Sequence, residues 1–179
     1  MKFFSKVLLN VAVRTTILLT TQATAQMPLA IAGSNGTPIA TLHAEGAQVY
    51  ECKPDSGKSQ SEVSALTWQF REPIATLMLD GKSIGRHYAG PNWEHIDGSA
   101  AKGKVIASAP GATSGDIPWL ELELVERRNG GIFSTATIVR RINTKGGVAQ
   151  GPCERAGDYL SVPYSADYVF LRKTSDKSD

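Results

Sequence analysis

Val162-Pro163-Tyr164-Ser165-Ala166-Asp167-Tyr168-Val169-Phe170 is the stretch that decides the fold class. Val162, Tyr164, Ala166, Tyr168 and Phe170 fall on every second position, with Ser165 and Asp167 between them. Successive side chains of a strand point to opposite faces, so this spacing predicts an extended segment with one buried side. A helix would spread the same five residues around its circumference.

The two-residue rhythm continues outward from there. Leu66, Trp68 and Phe70 alternate with Ala65, Thr67 and Gln69, which places Trp68 on an apolar strand face and so in the core. Leu120, Leu122 and Leu124 alternate with Glu121, Glu123 and Val125. Between residues 117–128 and 132–142 lies Asn129-Gly130-Gly131, and Gly and Asn tolerate the positive φ that tight hairpin turns require. Those two segments are expected to be antiparallel neighbours. Asp80-Gly81, Asp97-Gly98 and Gly146-Gly147 mark further turns, residues 56–61 read as a polar loop, and 108–115 as a small-residue connection. With helical periodicity absent, the prediction is an all-β domain, either an antiparallel β-sandwich or a partly closed β-barrel.

The 41% hydrophobic and 20% charged content of the 179 residues is that of an ordinary globular chain, and no linker divides it. Lys2 and Lys6 precede an apolar stretch over residues 7–19, and Ala23-Thr24-Ala25 offers a small-x-small cleavage pattern. Asn10 and Arg14 interrupt that stretch, which is too broken for a spanning helix of about 20 apolar residues. Residues 1–25 are therefore read as a signal peptide, 26–38 as a flexible N-terminal segment, 39–172 as the all-β domain and 173–179 as a disordered tail. The expected location is periplasmic or secreted, with no membrane span in the mature chain.

Export changes the charge argument. The chain has 19 Lys plus Arg against 17 Asp plus Glu, and removing Lys2, Lys6 and Arg14 leaves 16 against 17, a net charge of −1. Nucleic-acid binding needs a surplus of cations to displace counterions, and none remains. Cys52 and Cys153 are the two cysteines, without a CxxC pair or a Cys/His cluster. In an oxidising compartment they would close a loop of about 100 residues, worth up to roughly 4.7 kcal/mol; the other reading is two unrelated buried thiols.

Residues 85–99 read Gly-Arg-His-Tyr-Ala-Gly-Pro-Asn-Trp-Glu-His-Ile-Asp-Gly-Ser. Taken with Val49-Tyr50-Glu51-Cys52, Ile117-Pro118-Trp119-Leu120, Asn143-Thr144-Lys145-Gly146-Gly147, Cys153 and residues 162–168, this string resembles the domain of unknown function 3455 family. The motifs follow in the same order across nearly all of the mature chain. The resemblance implies an exported protein of bacterial or fungal type with no agreed activity. Some relatives carry a dehydrogenase label, but the chain has neither a GxGxxG string nor the helix on which a dinucleotide pyrophosphate rests. No cofactor is expected.

Segment 86–99 also holds the candidate chemistry. If residues 89–92 form the hairpin turn, Tyr88 faces Trp93, His87 faces Glu94 and Arg86 faces His95. His87 and Glu94 then share one face as a charge-assisted pair, and Trp93, His95 and Asp97 share the other. A catalytic version has Glu94 orienting His87 as a general base, although Ser99 nearby lacks a nucleophile elbow. A metal version needs an irregular loop to gather His87, His95 and Asp97. A binding version exposes Trp93 beside Asn92 and Asp97 to stack on a sugar or a protein, against the alternative that Trp93 folds back onto Tyr88. The reading carried forward is a non-catalytic binding module for a cell-envelope or extracellular ligand, a glycan or protein, with His87, Tyr88, Trp93, Glu94 and Asp97 as ligand-binding candidates. A metal- or histidine-dependent enzyme is the alternative.

Overall fold

A computed structural model describes residues 27–32, 35–55 and 65–173. The expectations for residues 1–25, 56–61 and 174–179 lie outside them. The strands are β1 Gly36–Pro54, β2 Leu66–Leu79, β3 Lys82–Tyr88, β4 Asn92–His95, β5 Ala100–Ala109, β6 Trp119–Arg128, β7 Ile138–Gly146 and β8 Tyr159–Lys173. Each pairs antiparallel with the next in chain order. β1 also pairs with β8, from Gly36 opposite Lys173 to Glu51 opposite Tyr159, so the sheet closes in a ring. The all-β expectation holds, and of the two architectures it is the closed one. A strand of 19 residues is long enough to bend around the ring and offer hydrogen bonds along both of its edges.

Local chemistry explains the connections. Asp80 and Gly81 both take positive φ, 50° and 73°, between Leu79 and Lys82, which is the two-residue turn whose twist suits a hairpin. At Gly46 the backbones of β1 and β2 come so close that a Cβ would run into the Ile74 carbonyl and Ala75. Leu29–Ile31, within the segment expected to be flexible, form a 3-10 turn whose Ile31 packs with Ala109 and Trp119 in a small second cluster.

Two expectations need correction. β6 and β7 are antiparallel neighbours, but 132–137 does not continue the strand; pairing resumes only at Ile138 opposite Glu123. The intervening residues fold inward, burying Phe133 and Ala136 completely, because a ring needs one of its ends filled. Trp68 is only half-buried, and Phe70 is 55% exposed. Alternation marks which side of a strand faces in, not whether the ring is filled at that level.

Inward positions of β1, β2, β6, β7 and β8 build the core, with Leu42, Leu77, Leu122, Val139 and Phe170 at or near zero exposure. Through it runs a column of rings. Phe133 lies 4.5 Å from Phe170, Phe170 5.7 Å from Trp93, and Trp93 5.5 Å from Tyr168, distances at which aromatic pairs add to simple burial. Between β6 and β7, Glu121 and Arg140 sit opposite each other as a buried ion pair at 2.8 Å. Removing either partner would cost the buried pair its mutual attraction, and breaking such a pair typically costs about 3–5 kcal/mol.

Cys52 and Cys153 are joined, with Cα atoms 5.9 Å apart across 101 residues. The bond fastens β1 to the segment before β8, where the Cys52 N–H also donates to the Asp158 carbonyl and Gly157 N–H to the Cys52 carbonyl. Closing a loop that long limits the unfolded chain by up to about 4.7 kcal/mol. Replacing Cys52 by Ser should therefore lower the melting temperature of oxidised protein by up to about 10–15 °C, with no further loss when reductant is added. Calorimetry of both proteins with and without reductant checks this; equal melting of oxidised wild type and variant would remove the bond's contribution.

Candidate functional site

The β3–β4 hairpin turns one residue earlier than its sequence suggests. Tyr88 pairs with Asn92, leaving Ala89-Gly90-Pro91 as the loop, with Gly90 at φ 103° and the Asn92 amide donating to the Ala89 carbonyl. The register is then His87 opposite Trp93, Arg86 opposite Glu94 and Gly85 opposite His95. A slip of one position carries every side chain to the other face. His87, Trp93 and His95 therefore share the inward row, and Arg86, Tyr88 and Glu94 the outward one.

Each candidate role changes with that slip. Glu94 pairs with Arg86 rather than His87, at 2.7 Å, and the same guanidinium lies 5.1 Å from the Tyr88 ring centre. The Arg86 hydrogen bond holds the Glu94 carboxyl below the usual carboxylate range. Among the described residues, His87 therefore bonds the Asn92 carbonyl and not a carboxylate. Trp93 is not an exposed platform and does not fold onto Tyr88; it is fully buried and stacked on His87, ring centres 4.9 Å apart and 13° from parallel. A Cβ at Gly103 would lie 3.0 Å from the Trp93 ring, so that glycine makes the room. The third histidine, His43, bonds Asp167 at 2.8 Å.

His87, His95 and Asp97 do not converge either. His87 donates from Nδ1 to the Asn92 carbonyl at 2.8 Å, whereas His95 Nδ1 lies 3.0 Å from Asp97 Oδ1 and its ring meets Phe133 edge-on. Among the described residues no group of three or more His, Cys, Asp or Glu is placed to hold a metal ion. Asp97 instead joins two loops. Its carboxylate accepts from the Ser99 N–H at 2.8 Å and the Ile132 N–H at 2.9 Å, and Gly131, at φ 106°, leaves the space it occupies. Partial burial pulls the Asp97 carboxyl upward, but bonds from Ser99, Ile132 and His95 outweigh it and hold the group well below the usual range.

Opposite the Phe133 end the ring is not filled. A cavity of about 350 Å³ lies there, mostly walled by apolar side chains, among them Leu120, Leu122 and Pro91, with Trp93 and His87 also in its lining. Phe70 and Val105, 55% and 47% exposed, belong to its rim. Its polar members are Gln48, Tyr50, Arg141 and Tyr168 besides His87. Gln48 Nε2 and Trp93 Nε1 are buried donors without a hydrogen-bond partner. Sequence reading found His87 and Trp93 but missed Gln48 and Arg141. The missing signal was parity: Arg141 stands two residues from Val139, a position that alternation assigns to the inner face.

The loops at this end are tied down by the motifs noted in the sequence. Tyr50 Oη donates to the Gly147 carbonyl at 2.6 Å, Thr144 Oγ1 to the Ile117 carbonyl at 2.6 Å, and Gly146 N–H to the Asp116 carboxylate at 2.6 Å. Gly103 N–H donates to the Pro91 carbonyl, fixing the hairpin tip against β5. These bonds make the cavity mouth a preformed structure.

Burial brings the His87 imidazole down to about 4; its bond to the Asn92 carbonyl opposes that, and the Arg141 charge reinforces it. Because a carbonyl can only accept, Nδ1 carries the proton and Nε2 is a lone-pair acceptor. The unfolded chain takes up this proton near its ordinary value of about 6.5, the folded chain only near 4. Stability should thus fall as the pH drops from about 6.5 toward 4, by up to about 3 kcal/mol from this group. His87→Gln should flatten that slope, whatever its stability at neutral pH. Melting curves across the interval measure it, and an unchanged slope would show that His87 does not control it.

No match is found among curated proteins or solved structures. A family model described as a protein of unknown function matches residues 32–172, from ahead of β1 into the last residues of β8. On that match the chain belongs to the DUF3455 family.

Proposed function

We propose that the chain is a non-catalytic binding module, and that its site is the cavity at the open end of the ring, taking a small molecule with an apolar body. The observation that carries this reading is a cavity of about 350 Å³ lined mostly by apolar side chains. That volume falls within the range of about 300–1,000 Å³ typical of ligand sites, and mostly apolar walls with a few placed polar groups are what such sites contain. An eight-stranded ring is just wide enough to be filled by side chains or to hold one small ligand. Here the Phe133 end does the first and the Phe70 end leaves room for the second.

A glycan-stacking role depended on an open Trp93 face, and the burial of that ring between His87 and Phe170 removes its support. The histidine-dependent enzyme depended on Glu94, which is engaged by Arg86. A disulfide and the absence, among the described residues, of a helix able to cross a membrane are compatible with work in the periplasm or outside the cell. There an apolar molecule gains by leaving water at about 25 cal/mol for each Å² covered.

Leu120 lines the cavity without being deeply buried, so Leu120→Trp should occupy the space while sparing the core. Wild-type protein should bind the neutral, environment-sensitive dye Nile red with a blue-shifted emission. The variant should bind it at least about 10-fold more weakly at a melting temperature within a few degrees of wild type. Equal binding by both, or binding by neither, would remove the cavity as the site.

A further inference from the structure

Accepting the cavity as a ligand site, we infer that its ligand carries an anionic head, a carboxylate in the simplest case, held by Arg141. The first ground is charge complementarity. Arg141 stands between Leu120 on β6 and Tyr168 on β8, both cavity residues, and lines the cavity itself. Its Nε and Nη2 donate to the Pro118 carbonyl at 3.1 and 2.9 Å, which fixes the guanidinium but leaves its charge unneutralised. Among the described residues no Asp or Glu pairs with it, and none lines the cavity. A cation half-buried in an apolar cup without a counter-charge is costly unless something supplies the charge.

The second ground is the reach of the cation. Its field acts on His87, Tyr50, Tyr164 and Tyr168. His87 stays neutral beside it and contributes an acceptor, not a second charge. A carboxylate head with a short acyl chain or a small ring system fits both the cation and the apolar walls.

The test compares decanoate and naphthoate with their methyl esters, by displacement of Nile red from the full chain at neutral pH. Wild type should bind each acid at least about 10-fold more tightly than its ester, since charge-assisted hydrogen bonds exceed neutral ones by that margin. Arg141→Met should abolish the preference while leaving ester affinity within about 2-fold, and Arg141→Lys should retain part of it. Arg141→Met also loses the contact to Pro118, so if it fails to fold, the wild-type comparison and Arg141→Lys decide. Acid and ester binding wild type equally would overturn the anionic head while leaving the cavity intact as a site. If neither the dye nor any of the four compounds binds, the cavity reading itself fails.

Discussion

The pairing of β1 with β8 is the constraint on which the rest of the molecule depends. Once the sheet closes, neither β1 nor β8 is left as an outer strand, and every strand contributes one row of side chains to a shared interior. That interior cannot be adjusted locally. Rings from β4, β8 and the β6–β7 connection fill it from Phe133 up to Trp93 and Tyr168, and beyond them it widens into the cavity. The disulfide lies beside this seam, reinforcing the one pairing whose partners are farthest apart in sequence.

Much of the fold was legible because it is local. The alternation in residues 162–170 identifies β8 and its buried row correctly, with Tyr164, Ala166, Tyr168 and Phe170 all inside. Asp80-Gly81 identifies its turn from backbone chemistry alone. The choice between sandwich and ring was not legible, since it depends on which strand takes the outer edge of β1, a contact between opposite ends of the domain. The descent of residues 132–137 into the base was equally hidden: Phe133 looks like the continuation of a strand until the space it fills exists.

The candidate site shows how small a misreading suffices. Gly90-Pro91 closes the β3–β4 turn with one residue fewer than expected, and that single position separates Glu94 from His87 and sends Trp93 inside. His87 and Trp93 were singled out from the sequence, Trp93 as an exposed platform, whereas both are buried and line the cavity. Arg141 passed as one of two adjacent basic residues. Its significance comes from facing inward while Arg140 faces the other way and meets Glu121, a distinction that needs the register of β7 against both neighbours.

Asp97 gives the architecture a further property. The carboxylate that binds the Ser99 and Ile132 backbone belongs to the β4–β5 corner, while Phe133, next along the chain from Ile132, is the stopper at the foot of the ring. The floor of the vessel is therefore latched by a part of the chain that contributes nothing to the walls around the cavity. A molecule built this way can alter how firmly its base is held through sequence change at a corner remote from the mouth.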